Sequence, residues 1–227
     1  MDKKTKYYKY QMNTLALNIL AIIVFILLDI LVSYTFNWHF EDINEFHFLL
    51  IILWFIIHEL LHYVGFLTDK NVSPKNLLLG MRIEVGILYC MCKKPICKKS
   101  ILVALIFPLF FIGILTMAIA YIIKSSPLML LSMINISGAV GDIIMSIQMI
   151  KMPKNIKYVD GDDSTGYYIL SEKDVSSIKL PFVKLNDSGL YEPDKILSKD
   201  TKKVIITKKS YIFLAVYLII FILLMFL

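Results

Sequence analysis

The chain has 227 residues, of which 58% are hydrophobic and 19% are charged, and its mean hydropathy is +0.70. Soluble domains are usually about 45–50% apolar and about 25% charged, so the composition excludes an ordinary soluble globular domain. The formal net charge is +6. Because the lysines lie in the segments between apolar runs, membrane topology explains this charge and no nucleic-acid partner is expected.

Five apolar segments approach or reach the roughly 20 residues needed to cross a hydrocarbon core. The predicted fold class is therefore an all-α polytopic membrane protein with about five transmembrane helices and a small β-rich cytoplasmic segment. The predicted domains are a membrane domain (1–150) with helices at about 13–36, 47–67, 101–123 and 127–150, a β-rich segment (151–209) and a C-terminal hydrophobic helix (210–227).

The first apolar segment is expected to be a permanent membrane anchor. Its apolar run is longer than the roughly 7–15 residues of a signal peptide. Lysines precede this segment, crowd the loop between the second and third segments, and recur through 151–209. The positive-inside rule places these three regions in the cytoplasm, which predicts a multi-pass protein of the plasma membrane with a cytoplasmic N-terminus.

The second loop combines a predicted hairpin with three cysteines. Met81–Val85 and Ile87–Met91 are β-rich runs on either side of Gly86, which predicts a hairpin or a re-entrant segment. Cys90, Cys92 and Cys97 are expected to be reduced thiols in the cytoplasm. The alternative is a zinc knuckle, but a structural zinc site normally has four ligands and a fourth does not follow nearby.

The segment 151–209 is expected to form a small β-rich cap on the cytoplasmic face, because about 59 residues cannot bury a large core. Turn-like clusters separate its strand-like runs, and one such cluster is Asn186–Gly189. The predicted strands are Ile156–Val159, Tyr167–Leu170, Ile178–Leu185 and Lys203–Thr207.

The sequence His58-Glu59-Leu60-Leu61-His62 lies inside the second apolar segment. Two histidines four residues apart project from one face of a helix, where both can reach one zinc ion. Glu59 is placed to take a proton from a water molecule at that ion. Charged groups are expensive inside a membrane, so their presence there indicates function. The alternative is a proton or ion pathway built from the same residues.

Asp142 is the candidate third ligand, since a catalytic zinc takes three protein ligands. It belongs to a polar stripe on the fourth apolar segment that also contains Asn135, Gly138 and Ser146. Such a stripe is expected to face the bundle interior, with Gly138 and Gly141 leaving room beside the carboxylate. At about 1.5 Å per residue, the histidines and Asp142 lie at a similar depth, roughly 7–14 Å from the predicted cytoplasmic boundary. The alternative is a structural hydrogen bond.

Asn135 and Pro108 are two further residues to which the sequence assigns a role. Asn135 lies two turns from Asp142 on the same face. It is expected to contact substrate or to orient a ligand, and a role in packing alone is the alternative. Pro108 in the third segment is expected to kink that helix, with no chemistry implied.

Five motifs follow one another along the chain: His58–Phe66, Tyr89–Pro95, Ser137–Asp142, Lys157–Asp160 and Gly166–Leu170. Together they resemble the bacterial zincin peptidase family known as domain of unknown function 3267, which is similar in its core to site-2 proteases. The resemblance covers roughly residues 45–170. It implies His58 and His62 as zinc ligands, Glu59 as the catalytic base and Asp142 as the acidic third ligand. Site-2 proteases typically carry an Asp-Gly pair at this ligand, whereas this chain has Gly141-Asp142.

The predicted function is that of a membrane-embedded zinc metalloendopeptidase that hydrolyses peptide bonds of membrane-associated substrates. Its expected cofactor is Zn²⁺, and its expected partners are a membrane protein or peptide substrate and the lipid bilayer. The alternative is a non-proteolytic membrane protein, either an ion or proton pathway or an inactive zincin-like scaffold.

Overall fold

The computed structural model describes residues 5–36, 45–82, 87–161, 166–178 and 180–192. The predicted C-terminal helix at 210–227 and the predicted strand Lys203–Thr207 lie outside these residues.

Five helices form the apolar part of the described chain. The third passes through a π-helical segment at Leu109–Leu115 and ends where Lys124 adopts a left-handed backbone conformation with φ 53°. The helices are α1 (Thr14–Phe36), α2 (Glu45–Phe66), α3 (Lys98–Ile123), α4 (Ser126–Gly138) and α5 (Val140–Lys151).

Seven strands form two antiparallel sheets. The larger sheet has the order β4-β5-β6-β1-β7, and the smaller one is the hairpin β2-β3. A hairpin in the second loop is confirmed by this pairing, which runs from Leu77 opposite Cys92 to Arg82 opposite Ile87. Its first strand begins at Leu77 and not at Met81 as predicted, and residues 83–86 lie outside the described part of the chain. The strands are β1 (Lys6–Met12), β2 (Leu77–Arg82), β3 (Ile87–Cys92), β4 (Ile96–Cys97), β5 (Lys157–Asp160), β6 (Gly166–Ser171) and β7 (Val183–Leu190).

The predicted all-α polytopic fold is wrong, because the described residues also form a five-stranded and a two-stranded sheet. The N-terminal residues were interpreted as a basic flank of the first span, but Lys6–Met12 forms a strand between β6 and β7. Alternate residues of this strand, Tyr8 and Tyr10, are buried. By length and composition, α1 and α3 can cross a membrane, and α4 and α5 can together form a third, broken span.

The fourth predicted span is two helices, not one. The axes of α4 and α5 differ by 46° across Ala139. Gly138 and Gly141 were expected to leave room beside the carboxylate, and among the described residues a Cβ at either glycine would have its nearest neighbour at 4.0 Å. The bend places Asp142 in the first turn of a new helix.

The predicted turn at Asn186–Gly189 lies inside strand β7. The pairing of β7 with β1 shifts between Lys9, opposite Asp187, and Tyr10, opposite Leu185, so Asn186 is the extra residue of a β-bulge. β7 is an edge strand, where a bulge tolerates residues typical of turns.

The main core lies between one face of the larger sheet and the helices α2, α3 and α5. Aromatic rings dominate the sheet side, where Tyr167 stacks between Tyr10 and Tyr158. Its members also include Phe66, Ile101, Ala104, Leu105, Met145, Met149 and Ile169.

Helix α1 packs loosely on the rest of the bundle. Leu17 and Val32 are its buried residues, whereas its isoleucines and half of its leucines are exposed. An apolar surface of this extent is unusual on a protein surrounded by water, and it fits a helix that contacts lipid.

The ends of three helices meet beside the larger sheet. The Lys98 Nζ at the start of α3 donates to the carbonyl oxygens of Ile150 and Met152 at the end of α5. Asp69, three residues beyond α2, accepts a hydrogen bond from the backbone N–H of Cys97. We call this region the sheet end of the bundle.

Candidate metal centre

His62 is held by a backbone carbonyl that proline leaves free. In a regular helix the N–H of residue 108 would bond to the carbonyl of Ala104, but Pro108 has no N–H. The Nδ1 atom of His62 lies 2.9 Å from this carbonyl oxygen. A carbonyl only accepts, so the imidazole Nδ1 carries the proton.

Gly65 brings α2 close enough to α3 for this bond. A Cβ at Gly65 would lie 2.3 Å from the Cα of Ala104, which is backbone and cannot move aside. Gly113 has the same role between α3 and α4, since its Cβ would lie 2.9 Å from Ile136. The close contacts of α3 with α2 and α4 therefore occur at Gly65 and Gly113.

His58 is oriented by Asn135. Its Nδ1 atom lies 2.7 Å from the Asn135 Oδ1, and the Asn135 Nδ2 donates to the carbonyl oxygen of Pro108 at 3.0 Å. Because the amide nitrogen must face that carbonyl, the amide oxygen faces the histidine, and His58 Nδ1 donates. Asn135 is 3% exposed, and both ends of its amide form hydrogen bonds. It therefore orients the His58 ring and has no free group for a substrate.

Asp142 completes a triangle of ligand atoms with the two histidines. The Nε2 atoms of His58 and His62 are 3.0 Å apart. The Asp142 Oδ2 lies 3.4 Å from the first and 3.5 Å from the second. The structure thus brings together three residues that are up to 84 positions apart in the sequence.

Two sides of the triangle, 3.4 and 3.5 Å, have the dimensions of a zinc site, and the third, between the two histidines, is shorter at 3.0 Å. Zinc bonds to imidazole nitrogen and carboxylate oxygen are about 2.0–2.2 Å, so ligand atoms around a tetrahedral ion lie roughly 3.3–3.5 Å apart. With both Nδ1 atoms protonated, the neutral rings direct their Nε2 lone pairs towards the carboxylate oxygen. Three acceptors that converge on one point suit a cation, and the residues therefore fit zinc.

Glu59 lies beside this triangle. His58, Glu59 and His62 each offer one ligand atom within 4.8 Å of the others. The carboxylate of Glu59 also interacts with the backbone N–H of Cys90 in β3. This contact joins the hairpin to α2 and leaves Glu59 next to the metal position, where a proton acceptor is useful.

The cysteines of the second loop do not join the cluster. Among the described residues, the group of side chains whose ligand atoms lie close enough together to hold a metal contains histidine and glutamate and no cysteine. Burial raises the pKa of the Cys92 thiol to about 12, which keeps it protonated at neutral pH and disfavours metal binding. Cys97 is exposed, and its sulfur lies 3.2 Å from the Ser100 hydroxyl.

The sequence interpretation missed the two backbone groups of the site. Pro108 was assigned only a kink, but a proline in a helix also frees the carbonyl four residues earlier, and this rule points to Ala104. The Cys90 N–H had no comparable signal, because its contact with Glu59 depends on how the hairpin packs on α2.

Comparison with known proteins gives one family. Residues 49–157, just under half of the chain, match a family model described as "Putative zincin peptidase". This match confirms the resemblance read from the motifs, while the relation to site-2 proteases stays a prediction. No curated protein and no solved structure matches the chain significantly.

Proposed function

Since residues 49–157 match the zincin peptidase family, we propose that this protein is a zinc-dependent peptidase whose metal is held by His58, His62 and Asp142. The observation that supports this proposal most directly is the triangle of their ligand atoms, with sides of 3.0, 3.4 and 3.5 Å. A carboxylate next to two hydrogen-bonded histidines is also the composition expected of a catalytic zinc site.

Zinc, when bound, supplies Lewis-acid chemistry that activates water and polarises a peptide carbonyl. Glu59 acts as the general base that takes the proton from the attacking water. It then returns that proton to the amine that leaves when the peptide bond breaks. The Cys90 N–H contact keeps the carboxylate of Glu59 in place during this exchange.

Ala104 and Asn135 act on the ligands and not on the substrate. Each accepts the Nδ1 proton of one histidine, at 2.9 Å and 2.7 Å respectively. Such bonds fix the tautomer and the ring orientation, and their loss typically weakens metal binding about 10–100-fold.

The proposed location is a membrane, with α1 and α3 as spans. Their length and composition support this location, as does the exposed apolar surface of α1. The proposed substrates are therefore membrane-associated polypeptides. The hairpin β2-β3 is a two-stranded sheet in the described chain and borders Glu59, so its edge is suited to bind substrate in extended form.

The test is zinc content and proteolysis of the purified full chain, reconstituted in lipid with a membrane-anchored peptide substrate. Glu59→Gln is expected to keep zinc and to lower the cleavage rate about 10²–10⁴-fold, the usual contribution of a general base. Asp142→Ala is expected to lose zinc. Glu172→Gln, at an exposed position, is the matched control and should cleave at the native rate.

Two results would contradict the proposal. One is a purified wild-type chain that takes up no zinc. The other is Glu59→Gln protein that cleaves as fast as Glu172→Gln protein.

A further inference from the structure

A cleft with a volume of about 830 Å³ lies at the sheet end of the bundle, away from the metal centre. Four lysines line it: Lys70, Lys94, Lys99 and Lys157. They come from four separate elements, namely the segment after α2, the turn between β3 and β4, the first turn of α3, and the start of β5. The fold therefore gathers positive charge that is scattered over 88 positions of the sequence.

The one acidic residue that lines the cleft does not balance these lysines. The Asp69 Oδ1 accepts hydrogen bonds from the backbone N–H and the side chain of Asn71, and its Oδ2 accepts from the backbone N–H of Cys97. Asp69 is 5% exposed, and both of its carboxylate oxygens face backbone N–H groups. Lysines that line one cleft carry like charges, which repel, and an anion bound in the cleft reduces that repulsion.

The start of α3 strengthens the positive potential of the cleft. A helix N-terminus carries partial positive charge and is normally balanced by Asp or Glu in the first turn. Here the first turn has no acidic residue and the Cys97 side chain does not cap it, but the Asp69 carboxylate, which accepts from the Cys97 N–H, offsets part of this charge. Lys99 adds a full positive charge at the same place. Neutral donors, such as the Asn71 amide, line the same cleft.

The position of the cleft indicates where an anion would come from. The start of α3 and the end of α5 are joined here by Lys98. α3 is one of the helices that can cross a membrane, and the sheet begins directly beyond its N-terminus, at β4. The cleft thus lies at the level where an apolar bundle would leave the hydrocarbon, which is the level of lipid headgroups.

We propose that this cleft is a binding site for the phosphate group of an anionic phospholipid. Four lysine ammonium groups and the N-terminus of α3 provide the charge and the N–H donors that a phosphate requires. The site would hold the sheet against the membrane surface. This proposal does not depend on peptide hydrolysis.

The experiment measures lipid binding to the full chain in detergent by native mass spectrometry. The chain is titrated with phosphatidylglycerol or with zwitterionic phosphatidylcholine. The wild type is expected to bind phosphatidylglycerol more tightly. Each lysine near an anionic headgroup contributes about fivefold in affinity. The triple variant Lys94→Gln/Lys99→Gln/Lys157→Gln is therefore expected to lose on the order of 100-fold in affinity.

The matched control removes three lysines that do not line the cleft. Lys6→Gln/Lys173→Gln/Lys184→Gln changes exposed positions and lowers the net charge by the same amount, so it separates a site from a general effect of charge. The triple Lys→Arg variant at the cleft positions should keep the preference. Thermal melting of each variant, without lipid, checks that the chain is folded.

Three outcomes would overturn the proposal. The first is equal binding of the two lipids by the wild type. The second is an equal loss of phosphatidylglycerol binding in the cleft variant and the control. The third is displacement of the lipid by millimolar glycerol 3-phosphate or inorganic phosphate, because the site would then bind a soluble phosphate in preference to a lipid.

Discussion

Replacement of Asn135 by leucine tests whether the hydrogen bond between His58 and Asn135 strengthens metal binding. Leucine has a similar size but cannot accept the His58 Nδ1 proton at 2.7 Å, and it leaves the Pro108 carbonyl without the donor at 3.0 Å. His58 can then rotate or change tautomer. The expected effect is a 10–100-fold loss of zinc affinity, equivalent to about 1.4–2.7 kcal/mol.

The variant is also expected to be less stable without metal. Each buried group left without a hydrogen bond costs about 1–3 kcal/mol. A control must therefore separate instability from a specific effect on His58. Ser132→Ala serves this purpose: Ser132 is fully buried in the same helix, and its hydroxyl bonds to Thr116 and to the Leu128 carbonyl.

The assay is zinc affinity of the full chain in detergent, measured by competition with a chromophoric chelator, together with the melting temperature of the metal-free protein. Asn135→Leu should lose both affinity and stability, whereas Ser132→Ala should lose stability only. Equal zinc affinity in the two variants would refute the reasoning, because the bond to His58 would then have no effect on metal binding.

Two further variants test the helix contact and the sheet end. Gly65→Ala should lower the melting temperature and weaken zinc binding, because its Cβ would lie 2.3 Å from the Ala104 Cα. The control Gly141→Ala should change neither property, because the nearest described neighbour of its Cβ would be 4.0 Å away. Asp69→Asn should lower the melting temperature at neutral pH. Burial raises the pKa of the Asp69 carboxyl, but backbone hydrogen bonds, first that from Cys97, outweigh burial and hold it below its usual value. The stabilisation is therefore present above pH about 4 and is lost as the pH falls below it, so melting curves of the two proteins should converge in acid.

The sequence by itself determined the local part of the metal centre. The four-residue spacing of His58 and His62 places both rings on one face of any α-helix, whatever surrounds it. Asp142 could be named because a carboxylate in an apolar segment is rare and costly. The lengths and compositions of the segments that became α1 and α3 likewise predicted helices that can cross a membrane.

Only the tertiary structure decided how these parts are combined. The place of Lys6–Met12 in the sheet depends on partners about 160 residues away, and the bend at Ala139 depends on what α4 and α5 pack against. The bonds of Asn135 and Ala104 to the histidines, and the meeting of four lysines in one cleft, are likewise contacts between distant segments. Spacing along a chain fixes which side chains share a face, but the approach of separate elements follows from the packing of the whole core.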